Sequence, residues 1–210
     1  MGNENINMTT TEIISLFNLF VADSTELSDT EELALLNRVI GKIALDRPWE
    51  SLKTEATGTI LVSGSIYYIT LLSDFGFLVE NKDNKKIIFV GSNHAEYEVV
   101  SFSNRRDYRD TGGYAYLDLV NNRIVFTANP SSAGSSYEFD YCKIPADVAS
   151  GGTPTFPPAR FHPMIAAGMS VDELMIEQFP KAQSYTIENQ AKYNSYLRDL
   201  AYWNSQLQIS

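Results

Sequence analysis

Thr57-Gly58-Thr59-Ile60-Leu61-Val62-Ser63-Gly64-Ser65-Ile66-Tyr67-Tyr68-Ile69-Thr70 is a run of β-type residues interrupted only at Gly64-Ser65. Upstream of it the apolar residues recur at helical spacing. From Thr57 onward they recur every second residue, the period of strands with one buried face. The pattern continues to Ile144 in eight segments: 58–62, 65–70, 76–81, 86–90, 96–101, 114–119, 123–128 and 136–144. Turn residues separate them. Asn121-Asn122 suits a tight hairpin with positive φ, and Asp83-Asn84, Gly112-Gly113 and 130–135 mark other reversals. Residues 104–110 read as a short helical turn between strands. Strands at this spacing point to an antiparallel sandwich or barrel.

Helical sequence lies on both sides. Thr9 to Thr11 with Glu12 offer a capped helix start, followed by Ile13, Ile14, Phe17, Phe20 and Val21 on one face. A second helix, capped at Asp29 or Thr30, carries Leu33, Leu36, Val39, Ile40 and Ile43 at the spacing of a packed helix and stops before Pro48. Beyond the strands, 145–160 is rich in Pro, Gly, Ser and Thr and reads as a connector. Residues 161–178 regain helical character, with Ala166, Ala167 and Gly168 among them, and a last helix runs from about Ala182 to Leu207. The expected fold is therefore α+β: a helical bundle made from the N- and C-terminal helices, with an inserted antiparallel β-sandwich or barrel-like lobe. The parts are a helical hairpin over 1–56, the β-rich domain over 57–144, the connector over 145–160, and helices completing the bundle over 161–210.

The chain has 210 residues and a net charge of −10. About −6 of that falls before Thr57. Such a surface repels phosphate backbones and anionic membranes, which argues against sequence-specific duplex binding. The single cysteine, Cys142, cannot form an internal disulfide. No apolar run reaches the roughly 18 residues of a membrane helix. The N-terminus lacks the basic start and apolar middle of a signal peptide, so synthesis and residence in the cytoplasm are expected.

The search for reactive groups gives little. His94 and His162 stand in no metal-ligand spacing, and each suits a structural role, in a turn and at a helix start. Glu31-Glu32 and Asp172-Glu173 belong to first turns of helices, where carboxylates face the positive end of the dipole. Asp74 and Asp83-Asn84 lack the oxygen spacing of a calcium loop. No nucleophile elbow, phosphate loop, metal or cofactor site is legible, and no enzyme is expected. Two features suggest contact with other proteins. Arg105, Arg106 and Arg109 form the one dense basic cluster, interrupted by Asp107 and Asp110; arginine forks suit carboxylates. It reads either as an inter-subunit or partner-facing surface or as a locally neutralised loop. Tyr185, Tyr193, Tyr196, Tyr202 and Trp203 cover more than one face of the last helix, and aromatics with a polar tip favour interfaces.

Certain strings carry a resemblance. Glu31-Glu32-Leu33-Ala34-Leu35-Leu36-Asn37-Arg38, Asp46-Arg47-Pro48-Trp49-Glu50, Val90-Gly91-Ser92-Asn93, Phe102-Ser103-Asn104-Arg105-Arg106-Asp107-Tyr108, Tyr137-Glu138-Phe139-Asp140-Tyr141 and Phe161-His162-Pro163-Met164-Ile165-Ala166 resemble small structural proteins of tailed bacteriophages. The closest likeness is to the head-to-tail connector, or portal adaptor, group, and it runs along most of the chain. The resemblance implies a non-enzymatic virion component assembled in the host cytoplasm. It further implies a homo-oligomeric ring, commonly a dodecamer, that joins the portal protein to a tail or nozzle protein and passes DNA without specificity. No membrane and no cofactor enter this picture. Carried onto this chain, Tyr193, Tyr196, Leu200, Trp203 and Leu207 become the portal-docking candidates. Arg105, Arg106 and Arg109 become the inter-subunit or tail-facing ones. The alternatives are a tail-tube or tail-terminator subunit, and a carbohydrate-binding β-sandwich using Tyr67, Tyr68, Tyr97 or Tyr114.

Overall fold

A computed structural model describes residues 7–21, 27–130, 134–176 and 182–207. The chain divides into two compact units. One comprises Met1–Glu50 with Ile144–Ser210, the other Ser51–Lys143.

The strand unit holds β1 (Lys53–Thr59), β2 (Leu61–Ser63), β3 (Ile66–Thr70), β4 (Phe75–Leu78), β5 (Ile87–Val90), β6 (Ala95–Val100), β7 (Tyr114–Asp118), β8 (Arg123–Phe126) and β9 (Ser136–Lys143). They form one sheet in the order β1-β9-β5-β6-β7-β8-β3-β2, with β4 added to β9. The eight strands of that path make a nearly closed barrel. Its two end strands, β1 and β2, are consecutive in the chain and meet at Ile60. There the Ile60 N–H donates to the Ser135 carbonyl at 2.9 Å and its own carbonyl accepts from Gly134 at 3.1 Å. The chain thus bends from one sheet edge directly into the other. Alternation then fills the interior with Ala56, Ile69, Ile88, Val90, Tyr97, Ala115, Ile124, Phe126, Phe139 and Tyr141.

One pair departs from the antiparallel pattern. β6 and β7 run parallel, with Glu98 opposite Tyr114 and Val100 opposite Tyr116. Parallel neighbours need a crossover of a dozen or more residues, and 101–113 supplies it, opening with a 3-10 turn at Phe102–Arg106. At the other end of β7, Asn122 takes the left-handed conformation with φ 51° that the Asn-Asn pair predicts.

The second unit holds α1 (Thr10–Phe20), α2 (Asp29–Leu45), α3 (His162–Ile176) and α4 (Ala182–Leu207). Reciprocal Thr9/Glu12 and Ser28/Glu31 capping boxes start the first two. In α3, Met164, Ile165, Ala166, Ala167, Met169 and Ser170 are all fully buried. A helix buried all round over its first turns is an interior helix there, and α1, α2 and α4 pack around it. The segment 145–160 is tied to these helices by side chains. Asn37 both donates to the Val148 carbonyl (3.1 Å) and accepts its N–H (2.9 Å), while Thr10 Oγ1 accepts from Gly151 at 2.8 Å. Asn204 closes on the far side of Trp49 in the same way, donating to the Pro48 carbonyl at 3.2 Å and accepting the Glu50 N–H at 2.7 Å.

The expected helical bundle with an inserted antiparallel sandwich-like lobe is corrected by this architecture. The chain is α+β, but it is built on a nearly closed eight-strand barrel with four helices among the described residues. Period-two alternation marks strands without saying which are neighbours. Only the strand pairing itself makes a single sheet containing a parallel pair, nearly closed by the bend at Ile60. The helices differ too much for a bundle of matched stripes: α1 has 11 residues, α4 has 26, and α3 is buried along Met164–Ser170. Lys53-Thr54-Glu55 is too polar to announce the start of β1.

Candidate interaction site on the outer barrel face

The crossover 101–113 lies against the outer face of β7 and β8. Outward positions alternate with core ones, so Tyr114 and Tyr116 face away from buried Ala115, and Val125, itself covered to 4% exposure, faces away from Ile124 and Phe126. Rings anchor the crossover there. Phe102 meets Tyr116 edge-on at 5.8 Å between centroids, and Tyr108 meets Tyr114 at 4.3 Å. The Asp110 N–H donates to the Thr127 carbonyl at 3.1 Å, and Thr127 Oγ1 lies 2.7 Å from the Thr111 carbonyl.

This docking brings Arg105, Arg106 and Arg109 to one hollow of about 260 Å³, whose other walls include Ile66, Tyr116 and Val125. Each guanidinium is held differently. Arg105 stacks 3.6 Å above the Phe102 ring and donates from Nη1 to the Phe102 carbonyl at 2.6 Å. That fixes its plane while leaving donors uncommitted. Arg109 has only a long contact, 3.7 Å, to Asp110, and both side chains are more than four-fifths exposed. Arg106 is exposed and has no acidic partner among the described residues. The local-neutralisation reading of this cluster therefore covers one arginine of three, and weakly. Arg123 makes the contrast: it binds the buried Asp118 at 3.0 Å and lies 5.6 Å from the Tyr68 ring. Hydrogen bonds from Asn121 and Arg123 hold the Asp118 carboxyl below its ordinary value.

The hollow can hold anionic groups by forked hydrogen bonds and cover an apolar side chain against exposed Ile66. Its lining contains no His or Cys, and the Thr127 hydroxyl is engaged by the carbonyls of Thr111 and Tyr114. No proton-transfer pair is assembled there. Among the described residues no group of three or more His, Cys, Asp or Glu side chains is placed to hold a metal.

The candidates on α4 are spread over several environments. Leu200 is fully buried, so it packs its own unit and presents nothing outward. Tyr193 lines a hollow of about 230 Å³ with Val39, Lys42 and Asp172. Burial, with Asp46 and Asp172 nearby, pushes its hydroxyl up to about 12. Trp203 is half-buried beside Phe161 at 6.2 Å and under Arg160 at 4.9 Å. Tyr196 is half-buried and Leu207 exposed. Ile187 and Tyr202 are the most exposed large apolar side chains described on this helix. The side chain of Tyr185 lies outside the described residues.

Of the tyrosines considered for sugar stacking, Tyr68 is half-buried with the Arg123 guanidinium 5.6 Å from its ring. Tyr97 is buried edge-on to Phe126 at 5.1 Å, Tyr114 is covered by the tilted Tyr108 ring, and Tyr67 packs against the barrel core. Sequence reasoning missed Ile66, Tyr116 and Val125 as walls of the arginine hollow. Alternation in 114–119 and 123–128 could have placed Tyr116 and Val125 on the outer face, but only the parallel β6–β7 connection puts the arginines over them.

No family model matches the chain, and no curated protein matches it.

Proposed function

We propose that this chain is a non-enzymatic structural subunit of a tailed-phage virion, a head-to-tail adaptor that forms a ring beneath the portal and joins it to the tail. The observation that carries the reading is the arginine hollow: three guanidiniums on the crossover, most of them with no acid partner among the described residues, beside exposed Leu61, Val62 and Ile66 of the β2–β3 hairpin. Such a surface suits a protein partner bearing carboxylates. The phage-like strings add the identity of the assembly. Among the described residues no helix is long and apolar enough to cross a membrane. In the ring, α4 with Tyr193, Tyr196, Trp203 and Leu207 is the portal-docking element, and the net negative charge lets DNA pass without sticking.

Native mass measurement of the purified protein, alone and mixed with portal protein, tests the proposal. A complex with the portal is expected; a strict monomer that ignores the portal refutes it.

A further inference from the structure

The arginine hollow has a counterpart on the same barrel. Over β9 lies a second hollow, of about 170 Å³, lined by Glu55, Glu80, Glu138 and Asp140 with Ile87 and Phe89. The register sets Glu55 directly opposite Asp140 across the β1–β9 pair, flanked by the buried pair Ala56 and Phe139. Both carboxylates are exposed, and neither meets a cation among the described residues. Like charges directly opposite one another weaken a strand pair. Glu80 has only a 3.8 Å approach from Lys86, and Glu138 binds His94 at 2.9 Å.

Position around the barrel decides what the two hollows can do together. The acidic one is built on β1, β9 and β5, the first three strands of the sheet order. The basic one is built on β7, β8 and β3, the fifth to seventh. Their centres, β9 and β8, stand four strands apart in a nearly closed ring of eight, on opposite sides.

We propose that the arginine hollow of one copy receives the β9 carboxylate groove of the next, in a heterologous head-to-tail contact. It rests on the reading of the chain as a virion subunit and names the partner surface of the same site. Arg105, Arg106 and Arg109 meet Glu55, Glu80, Glu138 and Asp140 at the rim, while exposed Ile66 meets Ile87 and Phe89 at the centre. An interface with unlike halves continues from copy to copy and closes only if the rotation permits. Nearly opposite halves suit a large ring: in a closed ring of twelve the two faces of a subunit stand about 150° apart, in a trimer about 60°.

The test uses the full chain and two triple variants, Arg105→Glu/Arg106→Glu/Arg109→Glu and Glu55→Lys/Glu80→Lys/Asp140→Lys, followed by sedimentation velocity at low salt. The wild type should self-associate, with affinity falling about tenfold or more as salt shortens the Debye length. Each triple variant alone should be monomeric. Their equimolar mixture should associate again, because each reversed face meets a complementary one, and a chain carrying all six reversals should also recover. That recovery separates loss of complementarity from loss of folding. A wild type that stays monomeric at low salt overturns the inference, as do triple variants that associate like the wild type or a mixture that fails to recover. Portal binding by the same samples decides the adaptor reading separately: self-association without portal binding keeps this interface and removes that role.

Discussion

Replacing Gly168 with alanine should destabilise the helical unit by up to about 2 kcal/mol. A Cβ at this position would stand 2.7 Å from Val39 Cγ1 and 3.0 Å from Tyr193 Cε2, well inside the roughly 3.5–4.0 Å at which carbon atoms rest. Val39 is 1% exposed and β-branched, so it cannot swing away; the Tyr193 ring is half-buried and can give. Overpacking of this kind costs about 1–3 kcal/mol, and the gain from removing a helix-interior glycine, about 1 kcal/mol, offsets part of it. A double-mutant cycle isolates the clash. Val39→Ala alone should cost about 2 kcal/mol for the lost methyl burial. In that background Gly168→Ala should become neutral or stabilising, which gives a coupling of about 1–3 kcal/mol. The assay is urea unfolding followed by tryptophan fluorescence, which reports this unit alone because both tryptophans, Trp49 and Trp203, belong to it. A Gly168→Ala variant with a raised midpoint, or a cycle whose terms simply add, refutes the close approach of α3 to α2.

Further outcomes follow from buried polar groups. Asn204→Ala removes both hydrogen bonds that flank Trp49, leaving the Pro48 carbonyl and the Glu50 N–H without their partner; the same unfolding assay should show a loss of about 2–3 kcal/mol, and a loss below the assay's error contradicts the clamp. His162 is fully buried with Nδ1 accepting from the Met8 N–H at 3.1 Å, and burial holds its pKa below the ordinary 6.5. Unfolded chains then take up a proton near pH 6.5 that folded ones refuse, so stability should fall as pH drops from about 6.5 toward the folded pKa and be insensitive to this group above it. His162→Gln should flatten that slope, and parallel profiles for the two proteins would remove His162 as its source. On the barrel, Asp118→Asn should weaken the hairpin at Asn121-Asn122 by loosening Arg123; the wild-type contribution is present above the ordinary carboxylate value near 3.8 and is lost as pH falls below it, measured by acid titration of barrel stability.

Much of the local structure is legible residue by residue. The segments from 65–70 to 136–144 coincide with β3 to β9 to within a few residues, because Ile, Val, Tyr and Phe at every second position have one stable way to bury a face. Leu36, Val39, Ile40 and Ile43 are buried on α2 as their spacing demands. Asn122 is left-handed because Asn tolerates that conformation. The helix starts are also readable, though the second cap is Ser28 rather than Asp29 or Thr30; a string of residues all able to cap does not say which one will. What stays invisible is everything that joins distant segments. Arg105, Arg106 and Arg109 stand out as a basic cluster, yet Val125 and Ile66 share their hollow only through pairing across the barrel. Leu200 shows the reverse: it lies on the stripe that suggested docking, and the packing of its own unit takes it.

Neighbours along the chain fix the strands, the helices, most of the turns and the presence of a basic cluster, because period, caps and charge are local properties. The tertiary structure alone decided that the strands close into a barrel at Ile60, that β6 and β7 run parallel, and that acid and base end up on opposite walls. Those outcomes depend on which strands pair, and the free energy of pairing is set by contacts between residues far apart in the chain, which no local pattern records.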